Sequence, residues 1–172
     1  MESQIMTQPT AKEGPSQRPL TAIVIDPVHR VPPEPLNHQL AAVWRAQRLT
    51  PNTLGLKANV SAETICKIEE GKGRLASFCK VMNFLGYGID IRTWEYRQLL
   101  PPEETSDPVV LCRTLTAYRH HLFRNGLHWY PWGVPTENRR IAVELAEPDV
   151  SFKAFQEYAR TRCLHCSLVP VA

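Results

Sequence analysis

The chain has 172 residues, a formal net charge of +3, fifteen prolines, eight glycines and five cysteines. Its length suits one or two small domains or one domain with tails, and its ordinary apolar fraction allows a hydrophobic core. So small a charge is no argument for a nucleic-acid partner, an odd cysteine count is no disulfide framework, and no run approaches the ~18–20 apolar residues of a membrane span. No basic stretch followed by an apolar run opens the chain, so no secretory signal is read there. A soluble protein of the reducing cytoplasm is expected.

Residues 1–36 read as a proline-rich arm. Residues 1–19 are polar and aperiodic, as in disordered chains. Leu20–Asp26 (LTAIVID) is a candidate short strand, and VPPEP at 31–35 is an extended linker.

Residues 37–92 carry helix signals in close succession. Asn37 is a candidate N-cap for a helix from His38 to about Arg48, with Leu40, Val43 and Trp44 inward. Thr50 caps a second helix, and Pro51 sits at its first position, where a missing N–H costs little. Ser61 caps a third, with Ile65 and Ile68 inward and Gly71 as its stop. A fourth runs from about Arg74 to Leu85 on the stripe Leu75, Phe78, Cys79, Met82 and Leu85, and Gly86 ends it. Cys66 and Cys79 are both placed on apolar faces. Tyr87–Arg92 (YGIDIR) is a candidate strand.

Residues 93–106 read as a linker around Pro101–Pro102, with Trp94–Leu100 fitting no single period. Residues 107–172 are expected to form a helical C-terminal domain. Asp107 caps a helix with the stripe Leu111, Leu115, Tyr118 and Leu122, ending at Asn125–Gly126. HWYPWGVP at 128–135, with Trp129, Tyr130 and Trp132, is a proline-locked aromatic loop that would pack as a lid or anchor a partner. Helices follow from Thr136 to about Ala146 and from Ser151 to about Arg162, the last with Phe152, Phe155 and Ala159 inward. The expected fold is mainly α.

Charge is unevenly placed. Residues 37–80 hold seven Lys/Arg against three acids, whereas residues 101–172 hold eight of each sign. Two short helices joined by a tight turn, the second Ser-capped, are what a major-groove reader needs, because the ~12 Å groove admits one helix.

The stretch TPNTLGLKANVSAETICKIEEGKGR resembles the Cro/C1-type helix-turn-helix. Thr50, Leu54, Val60, Ser61, Ile65, Ile68, Glu69, Gly71 and Lys72 match that pattern, as does the Leu85–Gly86 ending of the following helix. The likeness spans residues 37–91 and implies a four-helix DNA-binding domain. It implies base reading by Ala62, Glu63, Thr64 and Lys67, and phosphate contacts by Asn52, Thr53, Ser61, Lys72 and Arg74. Departures are Pro51 where the family has Gln, Gly55 for Ala, and Asn59 for the turn Gly.

The function expected is sequence-specific binding of double-stranded DNA by a transcriptional regulator, a repressor acting as a homodimer on a near-palindromic site. The dimer contact would come from residues 101–172 or from strand pairing by Leu20–Asp26 and Gly88–Ile91. The alternative is an antitoxin-type protein that holds a small toxin partner through its C-terminal domain and represses its own operon. An interaction module without DNA affinity is a further rival. Cys163 and Cys166 have the spacing of half a zinc site, with His120 and His121 as donors, which would make a metal-sensing regulator. There is no second CxxC, so incidental thiols are the simpler reading, and no metal or cofactor is expected. No nucleophile–base pair, phosphate-cradling glycine loop or hydrolase motif is present, and no enzyme is expected.

Overall fold

The computed structural model describes residues 34–126 and 136–171. The candidate strand Leu20–Asp26 and the aromatic loop with Trp129, Tyr130 and Trp132 lie outside the described residues. Within them the chain is mainly helical with one small sheet. The helices are α1 (Leu36–Ala46), α2 (Pro51–Ala58), α3 (Ala62–Glu69), α4 (Leu75–Phe84), α5 (Pro108–Arg124), α6 (Glu137–Glu144) and α7 (Phe152–Thr161). The strands are β1 (Tyr87–Arg92), β2 (Gln98–Leu100) and β3 (His165–Pro170).

Local sequence explains most helix starts. Thr50, Ser61, Asp107 and Ser151 each accept a backbone N–H at the head of α2, α3, α5 and α7, satisfying a donor the helix cannot. Asn37 is a correction. It lies inside α1, which begins at Leu36 without a side-chain cap, and it is buried. Its Nδ2 donates to the Glu69 carbonyl at 2.9 Å, so it ties α1 to the end of α3. Gly71, Gly86 and Gly126 take left-handed φ angles just beyond α3, α4 and α5, as their places in the sequence suggested.

The sheet order is β2-β1-β3, antiparallel throughout. β1 is therefore central, with Arg92 opposite His165 and Tyr87 opposite Pro170. Two expectations change here. Residues 93–106, read as a linker, contain β2 and a 3-10 helix at Pro102–Glu104. Residues 107–172, read as helical, close with β3. Within the chain β3 pairs along the whole of β1, while on the other side β2 pairs only Ile91 and Arg92 and the Thr105 hydroxyl takes the Ile89 N–H.

One buried cluster joins the two halves. Leu40, Leu54 and Ile65 of the first three helices share it with Phe78, Ile89, Leu111 and Phe155. Phe78 of α4 stacks on Phe152 of α7 with ring centroids 4.1 Å apart. Leu75, Phe78, Cys79 and Met82 are buried, as the stripe required. No helix among the described residues is long and apolar enough to cross a membrane.

Candidate nucleic-acid interface

Helices α2 and α3 are eight residues each and meet at a tight corner. Asn59 turns the chain with φ 56° and ψ 50°, a left-handed conformation that Asn tolerates. The corner is close because residue 55 is glycine. A Cβ there would lie 2.7 Å from the Val60 carbonyl oxygen and 3.2 Å from the Ala62 nitrogen. The Ser61 hydroxyl caps α3 by accepting from the Thr64 N–H at 3.1 Å, and it bonds the Thr64 hydroxyl at 2.8 Å.

Ile65 and Ile68 are buried beneath α3, which rests on α1, α2 and α4. The opposite side is open. Glu63, Cys66 and Lys67 are exposed, and Ala62 and Thr64 half-buried. The structure thus brings Ala62, Glu63 and Lys67 onto one outer face, while Thr64 is engaged with the cap. Lys67 Nζ stands 2.6 Å from Glu63 Oε1, and this pairing holds the Glu63 carboxyl below the usual carboxylate range. The two expected base readers therefore neutralise each other in the free protein. Solvent screens so exposed an i,i+4 pair, so a competing base or phosphate exchanges with it easily.

The expected phosphate contacts are all surface groups. Asn52 and Thr53 are exposed on the first turn of α2, where the Thr53 hydroxyl bonds that of Thr50 at 3.0 Å. Ser61 is exposed at the head of α3. Lys72 and Arg74 are exposed in the turn after α3, which Gly71 (φ +73°) and Gly73 (φ +90°) shape. Lys72 pairs with Glu70 at 2.8 Å, which raises the Lys72 ammonium above its ordinary value. Behind the face, Arg45 of α1 pairs with the Glu69 carboxylate.

Cys66 is a second correction. Read as inward, it is exposed on the outer face of α3 beside Glu63 and Lys67. The signal was available. With Ile65 and Ile68 inward, a helix of 3.6 residues per turn points position 66 outward with 62, 63 and 67. Leu56 of α2, 85% exposed, was also passed over and adds an apolar contact point next to the corner.

Cys163 and Cys166 are both buried. Cys163 takes a left-handed φ of 57° after α7, and Cys166 faces inward from β3. Burial pushes the Cys166 thiol up to about 12, an environment hostile to the thiolate a metal needs. His120 and His121 are exposed on α5. Among the described residues no three His, Cys, Asp or Glu side chains are grouped to hold a metal ion.

Comparison of the chain with protein-family models, with curated proteins and with solved structures gave no match.

Proposed function

We propose that this protein is a sequence-specific double-stranded DNA-binding transcriptional regulator that reads the major groove with α3 and acts as a dimeric repressor. The observation that carries this reading is the open outer face of a short, Ser-capped α3, fixed from behind by α1, α2 and α4. A helix so presented fits the ~12 Å groove with its first turn toward the base edges. In this reading α1–α4 form a Cro/C1-like four-helix unit. Glu63 accepts from a cytosine N4 amine, Ala62 meets a thymine methyl, and Lys67 reaches guanine or phosphate. Lys72, Arg74, Asn52, Thr53 and Ser61 fix the register on the backbone.

The second copy binds through α5 and α6 in this proposal. Phe123, Ile141 and Leu145 are exposed there, and exposed large apolar side chains supply area that an interface can bury. Doubling the headpiece supplies the surface that one short helix lacks.

Genome-wide footprinting with the wild type and a Glu63→Ala/Lys67→Ala variant tests the reading. The variant is expected to lose sequence preference and keep part of its non-specific binding. Unchanged preference would remove α3 as the reader.

A further inference from the structure

The turn that carries Lys72 and Arg74 is held by the far half of the chain. The Phe152 N–H donates to the Gly73 carbonyl at 2.9 Å, and the Leu75 N–H donates to the Val150 carbonyl at 2.9 Å. These bonds make Arg74 and Ser151 a two-residue antiparallel bridge. The Phe78–Phe152 stack seats the start of α7 on α4, and the Ser151 hydroxyl caps α7 by accepting from the Ala154 N–H at 3.0 Å.

The bridge has a consequence for charge. Lys153 follows Phe152 in the first turn of α7 and is exposed. It borders one groove, of about 330 Å³, with Glu70 and Gly71 at the end of α3. Of the groove's carboxylates, Glu70 is engaged by Lys72 and Glu157 by Arg139, and the exposed Glu34 lines it as well. Asp149, just before the bridge, is exposed. Among the described residues neither Arg74 nor Lys153 is held in an ion pair. A cation from α7 is thus locked, through backbone bonds, beside the turn proposed to grip phosphate.

We infer that Lys153 is a DNA phosphate contact, so that the duplex backbone is gripped jointly by Lys72 and Arg74 of one half and Lys153 of the other. This rests on the reading of α3 as groove reader. It adds that Lys153, at the head of α7, belongs to the DNA surface, so that the C-terminal half is not confined to a partner-binding role. A contact to a phosphate carries no base information, so Lys153 contributes affinity without sequence preference.

The test titrates full-length wild type, Lys153→Gln, Lys153→Arg, Lys72→Gln and Arg124→Gln against a random-sequence duplex and a footprinted site over a salt series. Each neutralised phosphate contributes about 0.9 to the slope of log K against log salt. Lys153→Gln is expected to lower the slope by about 0.9 for each protomer on the duplex, as Lys72→Gln does, with the ratio of specific to random binding unchanged. Lys153→Arg is expected to restore the slope, and Arg124→Gln, on the far end of α5, to leave it at the wild-type value. A wild-type slope in Lys153→Gln, alongside a reduced one in Lys72→Gln, would overturn the Lys153 contact and leave the groove reading standing. Absence of salt-dependent duplex binding by the wild type would overturn both.

Discussion

Gln39 closes the outer edge of the sheet by bonding Leu168. The Leu168 N–H donates to Gln39 Oε1 at 2.8 Å, and Gln39 Nε2 donates back to the Cys166 carbonyl at 3.1 Å. One side-chain amide thus does for β3 what a neighbouring strand would do, and an edge open to other chains is blunted. It also fastens α1, the helix behind α3, to the last strand of the sheet.

Replacing Gln39 by Ala leaves both backbone groups of β3 without this partner. The expected loss is about 1–3 kcal/mol, with the urea midpoint lowered and the denaturant slope unchanged. Exchange of the Leu168 amide should quicken in parallel. Wild-type exchange at Leu168 in the variant would show the amide to be satisfied another way.

Gly88 marks a second close contact. A Cβ at this position would meet the Pro102 carbonyl oxygen at 2.2 Å, and next to it the Ile89 N–H donates to the buried Thr105 hydroxyl at 2.8 Å. Gly88→Ala must push the 3-10 helix off β1. Overpacking of this kind costs about 1–3 kcal/mol, and a lowered Tm checks it. A variant as stable as the wild type would mean that residues 102–105 move aside freely.

The buried thiols make stability fall in alkali. Burial raises Cys79 and Cys166 from the ordinary 9.0 to about 12, and Cys112 to about 11. The folded protein therefore keeps its thiol protons after the unfolded chain has released them. Their contribution is complete below pH 9.0 and drains away as pH climbs toward the folded values. Each such thiol subtracts about 1.4 kcal/mol per pH unit within that window. Urea midpoints from pH 8 to 10.5 should drop, and Cys166→Ala should make the decline shallower. A flat profile would contradict the burial of these thiols.

Cys66 offers a direct view of the outer face of α3. It is the exposed thiol of the five, so an alkylating reagent should label one cysteine in the native protein and all five in denaturant. A footprinted duplex should slow Cys66 labelling, and high salt should restore the rate. Equal rates with and without that duplex would place DNA elsewhere on the protein.

Local chemistry made much of the helical layout legible. Thr50, Ser61, Asp107 and Ser151 act within three residues of themselves, so a cap can be read without knowing the fold. Asn37 misled because its bonding partner, the Glu69 carbonyl, is brought near only by tertiary structure. β3 was hidden for a similar reason. HCSLVP alternates poorly, and it becomes a strand because β1 and Gln39 offer hydrogen bonds on either side. At the candidate interface the sequence placed Glu63 and Lys67 outward, but their mutual ion pair and the backing of the Lys72–Arg74 turn by Val150–Phe152 depend on three-dimensional proximity.

The central position of β1 also bears on how the protein is made. A ribosome delivers β1 long before β3, so a nascent polypeptide halted between Arg92 and His165 carries one side of that strand bare. Nonsense mutations in this stretch would then yield truncated products with an unguarded pairing template and with Gln39 Oε1 deprived of the Leu168 N–H. Such fragments invite aggregation or quality-control proteolysis, even though every residue of α1 to α4 would be present.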